Sequence, residues 1–92
     1  MTRNDIVICT PVRTAIGTYG GTLKSMPAPD LGAAAIKAVL DRSGLDPAKL
    51  GGVIMGNVIQ AGTRMNPARQ AAINAGVPVE VPAMTVNRVC GS

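Results

Sequence analysis

Three short apolar runs, separated by segments with helical signals, most constrain how this chain can fold. They cover Asp5–Cys9, Val53–Ile59 and Ala83–Val86. Continuous apolar runs like the first two are typical of buried strands, and such strands belong to parallel sheets covered by helices, whereas the third run is interpreted as a further short strand. The sequence therefore predicts an α/β fold with the element order β-α-β-α-β.

Two helices are predicted between these runs. Asp30 is placed to cap a helix over Leu31–Ser43, which Gly44 ends. The second helix covers Asn66–Ala75 and starts at Asn66-Pro67, because asparagine caps helices and proline at the first position lacks only an N–H that would be unpaired anyway. A right-handed β-α-β crossover is expected to follow from this order.

Two residues within these elements indicate tertiary contacts. Gly56 interrupts the second apolar run and predicts a bulge or the close approach of another backbone. Arg69 lies in the first turns of its helix, where a positive charge opposes the helix dipole. We expect a carboxylate or carbonyl partner for Arg69, near the cysteine at position 90, with an ordinary surface arginine as the alternative.

Composition excludes several classes of protein. Hydrophobic residues make up 47% and charged residues 15% of the 92, which is incompatible with a disordered polar chain. The net charge of +4 would suit an anionic partner, but the basic residues are scattered, and with Tyr19 as the single aromatic residue there is little on which nucleic-acid bases could stack. We therefore expect no nucleic acid partner.

Two cysteines and no histidine cannot form a self-contained structural zinc site, so no metal is predicted. The first residues lead into an apolar run too short for a signal peptide, and the longest apolar stretch is broken by Lys37, so no membrane span is expected. A cytoplasmic location with free thiols is the resulting expectation.

Cys90 follows the third apolar run and is followed by the small residues Gly91 and Ser92. A thiol at a strand-to-helix turn ionises more readily than a free thiol and can act as a nucleophile. An inert buried cysteine is the alternative. Cys9, inside the first apolar run, is interpreted as a small buried hydrophobe.

The residues around Cys90 suggest further roles. Its backbone N–H would become an oxyanion donor where a helix begins, and Gly91 would let a substrate approach. Asn87 is expected to hold the turn through side-chain to backbone hydrogen bonds rather than to contact substrate. No substrate-binding residue is assigned.

Four segments resemble those of the thiolase family in order and spacing. They are Arg13-Thr14-Ala15-Ile16-Gly17, Gly56–Gly62, Asn66–Ala72 and Val86–Ser92. The resemblance implies a layered α-β-α-β-α fold, of which residues 1–92 would form the N-terminal β-α-β-α-β part of the first domain. A piece of this kind is expected to be truncated, nicked or separated from the rest of the enzyme, and not to fold autonomously, since two helices cannot cover both faces of a three-stranded sheet.

The resemblance also implies an activity, that of an acetyl-CoA C-acetyltransferase. Cys90 would form an acetyl-enzyme from acetyl-CoA, and a second acetyl-CoA would condense with it to give acetoacetyl-CoA, reversibly by thiolysis. A degradative 3-ketoacyl-CoA thiolase and a non-catalytic interaction fragment are the alternatives, and Gly91-Ser92 is more similar to the acetoacetyl-forming branch.

The expected partners follow from the same resemblance. Acetyl-CoA and CoA would be substrates, without a further cofactor. The remainder of the thiolase polypeptide would supply a histidine and a second cysteine, and the enzyme would be a homodimer or homotetramer.

Overall fold

The computed structural model describes residues 4–92 and contains a parallel pair of strands with two helices. In chain order the elements are helix α1 (Ala28–Ser43), a 3-10 turn (Pro47–Lys49), strand β1 (Val53–Gly56), helix α2 (Pro67–Asn74) and strand β2 (Ala83–Val86). In the parallel register Val53 lies opposite Ala83 and Gly56 opposite Val86. The β1-α2-β2 unit and the α/β class are as predicted, but β1 ends at Gly56, three residues before the predicted end at Ile59, because its pairing with β2 stops there.

The predicted strand over Asp5–Cys9 is wrong. Within the described residues this segment belongs to no strand, and the side chains of Ile6 and Ile8 are 100% and 101% exposed. A strand exists only where a neighbouring edge supplies its hydrogen bonds, and the two-stranded sheet pairs β1 only with β2. Cys9 is consequently exposed, which contradicts the expectation of a buried thiol.

Helix α1 begins earlier than predicted. Pro27 occupies the N-cap position, and Asp30 lies inside the first turn, where its negative charge is favourable to the helix dipole. The proposed capping role of Asp30 is therefore wrong, because the helix already begins at Ala28, with Pro29 in its first turn, where the fixed φ of proline is compatible with a helix. The predicted end is confirmed, since Gly44 adopts a φ of 70° and its N–H donates to the Leu40 carbonyl at 3.1 Å. Within residues 4–92 no helix, α1 included, is long and apolar enough to cross a bilayer.

The two helices cover one face of the sheet and leave the other open. The core contains Leu40 of α1, Val53 of β1 and Ala72 of α2, together with Val77 and Val81. On the opposite face the paired residues Ile54 and Met84 are 65% and 52% exposed. The run that contains β1 was predicted to be a buried strand, and within the described residues this is wrong because the helices pack on a single side of the sheet.

Candidate active site

Strand β2 carries the chain to the segment that bears Cys90. The ladder extends one residue past β1, because the Asn57 N–H donates to the Val86 carbonyl at 3.2 Å. Residues 87–92 then leave the sheet, and the Cys90 side chain is exposed. The thiol is therefore open to a molecule approaching from solvent.

The residues around Cys90 form two overlapping tight turns. The Gly91 N–H donates to the Arg88 carbonyl and the Ser92 N–H to the Val89 carbonyl, both at 3.0 Å. Val89, however, has a φ of 52°. Val89 precedes the position at which a helix was predicted to begin, and residues 90–92 are too few to form a complete helical turn, so that helix stays a prediction.

The Asn87 side chain holds this segment in two directions. Its Nδ2 donates to the carbonyl of Val58, in the loop that follows β1, at 2.9 Å. Its Oδ1 accepts the Val89 N–H at 3.0 Å. The predicted role of Asn87 in holding the turn is confirmed by these contacts.

Ser92 closes the same turn with its hydroxyl group. The Oγ accepts the Arg88 N–H at 2.7 Å and donates to the Val89 carbonyl at 2.8 Å. Sequence reasoning assigned no such role to Ser92. The available signal was its hydroxyl, a few residues from backbone groups that a short side chain can reach in a turn.

The prediction of a close backbone approach at Gly56 is confirmed, and the approaching segment is the one that carries Cys90. A Cβ atom added to Gly56 would collide with the Ser92 carbonyl oxygen and would lie 2.6 Å from the carbonyl carbon. The absence of a side chain at Gly56 thus allows the end of this turn to rest against β1.

A polar network ties the start of α2 to β2. Asn66 caps the helix as predicted, since its Oδ1 accepts the Arg69 N–H at 3.3 Å. The same oxygen accepts the Thr85 hydroxyl at 2.7 Å, and the Thr85 Oγ1 accepts the Ala68 N–H at 3.0 Å. The Asn66 Nδ2 donates to the Ala83 carbonyl at 3.1 Å. Sequence reasoning missed Thr85, which appears as an ordinary strand residue until the strand and helix are placed side by side.

Arg69 has the tertiary partners that were expected, but in a different place. Its guanidinium donates to the carbonyls of Val81 and Val79 at 3.0 and 2.9 Å. These residues precede β2, whereas Cys90 follows it, so the expected location near the cysteine is wrong. The guanidinium instead fixes the connection from α2 to β2.

Comparison with known proteins agrees with this arrangement. The family model described as "Thiolase, N-terminal domain" matches residues 6–92. The chain belongs to the thiolase family. This confirms the resemblance inferred from the motifs.

Relatives in this family are similar to the chain over nearly its whole length. An acetyl-CoA acetyltransferase of Cupriavidus necator is 58% identical over 88 residues, which is 96% of this chain and 22% of the relative. A protein of the same name from Pseudomonas aeruginosa is 56% identical over the same shares. A probable acetyl-CoA acyltransferase of Staphylococcus aureus is 51% identical over 92 residues, which is 23% of its length. The thiolase chain therefore spans less than a quarter of the curated relatives that it matches.

Proposed function

We propose that this chain supplies the nucleophile segment of an acetyl-CoA C-acetyltransferase. The observation that carries the proposal is the exposed thiol of Cys90 on a hydrogen-bonded turn directly after β2, in a chain of the thiolase family. The relatives from Cupriavidus necator and Pseudomonas aeruginosa, both named acetyl-CoA acetyltransferase, support the choice of substrate.

The proposed reaction proceeds in two transfers. The Cys90 thiolate attacks the carbonyl carbon of acetyl-CoA, and the tetrahedral intermediate collapses with loss of the CoA thiolate to leave an acetyl-Cys90 thioester. A second acetyl-CoA, deprotonated at its methyl carbon, attacks that thioester. The new carbon–carbon bond gives acetoacetyl-CoA and returns the Cys90 thiolate, and thiolysis by CoA is the reverse reaction.

The backbone N–H of Cys90 is proposed as an oxyanion donor during the first attack. It belongs to the residue that carries the attacking sulfur, and the amides of Gly91 and Ser92 already donate to carbonyls of the turn. A fixed N–H aimed at the developing negative charge contributes about 3 kcal/mol in comparable sites.

The remaining groups are proposed to come from the rest of the thiolase polypeptide. The chain contains no histidine, so the base that activates Cys90 and the group that deprotonates the second acetyl-CoA are assigned to that remainder. Coenzyme A thioesters are the substrates, without a further cofactor or metal in this proposal. The homodimeric or homotetrameric assembly and the cytoplasmic location stay predictions.

Acetyl-CoA labelling of the full-length polypeptide tests the assignment. Peptide mass spectrometry is expected to find one acetyl group on the peptide that contains Cys90, and Cys90→Ala is expected to abolish both the label and turnover. Cys9→Ala is the matched control, because Cys9 is also an exposed free thiol. Turnover retained by Cys90→Ala, or an acetyl group found only on Cys9, would refute Cys90 as the nucleophile. Absence of both label and turnover in the wild type would favour a non-catalytic thiolase-like fragment.

A degradative 3-ketoacyl-CoA thiolase is the second candidate. The Staphylococcus aureus relative has the broader name probable acetyl-CoA acyltransferase, which does not restrict the acyl group to acetyl and so supports this candidate. Comparing thiolysis of acetoacetyl-CoA with that of a long-chain 3-ketoacyl-CoA discriminates the two. The acetyltransferase assignment predicts a clear preference for the short substrate.

A further inference from the structure

We propose that Asn87 is a positioning residue for Cys90, acting through both ends of its side-chain amide. The inference rests on the proposed function of Cys90. Asn87 connects two segments that are distant in sequence, the loop after β1 through Val58 and the turn through Val89. Cys90 lies on the part of the chain between these fixed points and Ser92.

The chemistry of the amide fits this double contact. A carboxamide presents an acceptor oxygen and a donor nitrogen from one rigid group. Here the nitrogen meets a carbonyl at 2.9 Å and the oxygen meets an N–H at 3.0 Å. Exchanging the two atoms would place the amide oxygen against the Val58 carbonyl and the amide NH2 against the Val89 N–H. The amide therefore has one compatible orientation.

Val89 is the residue that needs this support. A β-branched residue with a φ of 52° is strained, and such a conformation persists only where surrounding contacts determine it. The Val89 N–H is held by Asn87 Oδ1, and the Val89 carbonyl is held by the N–H and the hydroxyl of Ser92. Both polar groups of its backbone are therefore fixed.

The direction of the Cys90 side chain depends on this restraint. Cys90 directly follows Val89, so rotation of Val89 toward a negative φ reorients the Cα–Cβ bond of the cysteine. A misplacement of about 1 Å at a reacting atom can cost on the order of 100-fold in rate. Losing the Asn87 amide is expected to affect the acetylation step rather than the binding of acetyl-CoA.

Two variants of the full-length polypeptide separate the two ends of the amide. Asn87→Ala removes both contacts and the longer one between Ser92 Oγ and Asn87 Oδ1 at 3.4 Å, whereas Asn87→Asp keeps an acceptor for Val89 and loses the donor to Val58. We expect the maximum rate of single-turnover acetylation to fall about 100-fold in Asn87→Ala and about 10-fold in Asn87→Asp, at an unchanged half-saturating acetyl-CoA concentration. The control is Asn74→Ala, at the exposed end of α2, which should be acetylated at the wild-type rate.

Three outcomes would overturn the positioning role. They are a wild-type maximum rate in Asn87→Ala, a wild-type maximum rate in Asn87→Asp, and a loss that appears only as a higher half-saturating concentration. Should Asn87→Ala fail to fold, the Asn87→Asp variant decides by the same criterion.

Alkylation by iodoacetamide tests the same role without acetyl-CoA. The two free cysteines lie in different tryptic peptides, so the ratio of Cys90 to Cys9 labelling is measured within one molecule. We expect Asn87→Ala to change this ratio several-fold and Asn74→Ala to leave it unchanged. An unchanged ratio in Asn87→Ala contradicts the positioning role even if acetylation occurs. If the wild type forms no acetyl-Cys90, the proposed function is refuted, but the ratio of Cys90 to Cys9 alkylation still tests the positioning role.

Discussion

Replacing Gly56 with alanine is expected to displace the segment that carries Cys90 from β1. The added Cβ would collide with the Ser92 carbonyl oxygen, and it would lie 2.6 Å from the carbonyl carbon and 3.2 Å from the Ser92 Cβ. Two of these atoms belong to the backbone, so no change of side-chain rotamer relieves the contact. The turn itself has to move.

The size of the movement follows from the contact distances. Carbon atoms pack at about 3.5–4.0 Å, so Ser92 has to retreat by about 1 Å. Overpacking of this kind costs about 1–3 kcal/mol of folding free energy when the site cannot relax. Because the turn is hydrogen-bonded between Arg88 and Ser92, the shift is transmitted to Cys90, and acetylation is expected to slow by roughly 100-fold.

Single-turnover acetylation and thermal unfolding of the full-length polypeptide measure both effects. Gly51→Ala is the matched control, since a Cβ there meets no atom within 4 Å and its φ is not positive. If Gly56→Ala and Gly51→Ala acetylate at the same rate, the contact between Ser92 and β1 has no role in placing Cys90, and the reasoning fails.

Three further predictions concern stability. Asn66→Ala removes the cap of α2 and the contacts to Ala83 and Thr85, so urea unfolding of the full-length polypeptide should show a loss of about 1–2 kcal/mol in the free energy of unfolding, and an unchanged midpoint would contradict this. In Arg69→Lys a single ammonium group cannot reproduce the two hydrogen bonds of the guanidinium to the Val81 and Val79 carbonyls, so the free energy of unfolding in the same assay should fall by about 1 kcal/mol. The exposed control Arg64→Lys should leave it unchanged. The isolated 92-residue chain should lack a cooperative calorimetric transition, because no large side chain is fully buried within its described residues; a sharp transition would disprove that expectation.

Helix α2 and strand β2 could be predicted because their signals are local. Asn66-Pro67 specifies a helix start through capping and proline geometry, and Ala83–Val86 is bounded by Pro82 and by the turn after it. These features require no knowledge of distant residues. The strand expected at Asp5–Cys9 failed for the opposite reason, since apolar composition indicates a capacity to pair but cannot supply the partner.

The place of the candidate cysteine and the contacts of Asn87 could be predicted, but the backbone conformation of the segment could not. The exposed cysteine after β2 was expected from its position, and so were the hydrogen bonds of Asn87. The left-handed conformation of Val89 could not be expected, because a β-branched residue disfavours it and only tertiary contacts maintain it. The contributions of Ser92 and Thr85 likewise depend on which backbone groups the fold brings within reach.

The hydroxyl of Thr85 helps to determine how far Cys90 lies beyond the sheet. Sliding β2 by one residue along β1 would turn Thr85 away from α2, bring Met84 toward the helices, and move everything beyond the strand by about 3.3 Å. Such a slip has to break the bonds from Thr85 to Asn66 and Ala68 at once. Thr85 thus helps to hold the strand in one alignment and so contributes, from several residues away, to the position of the Cys90 sulfur.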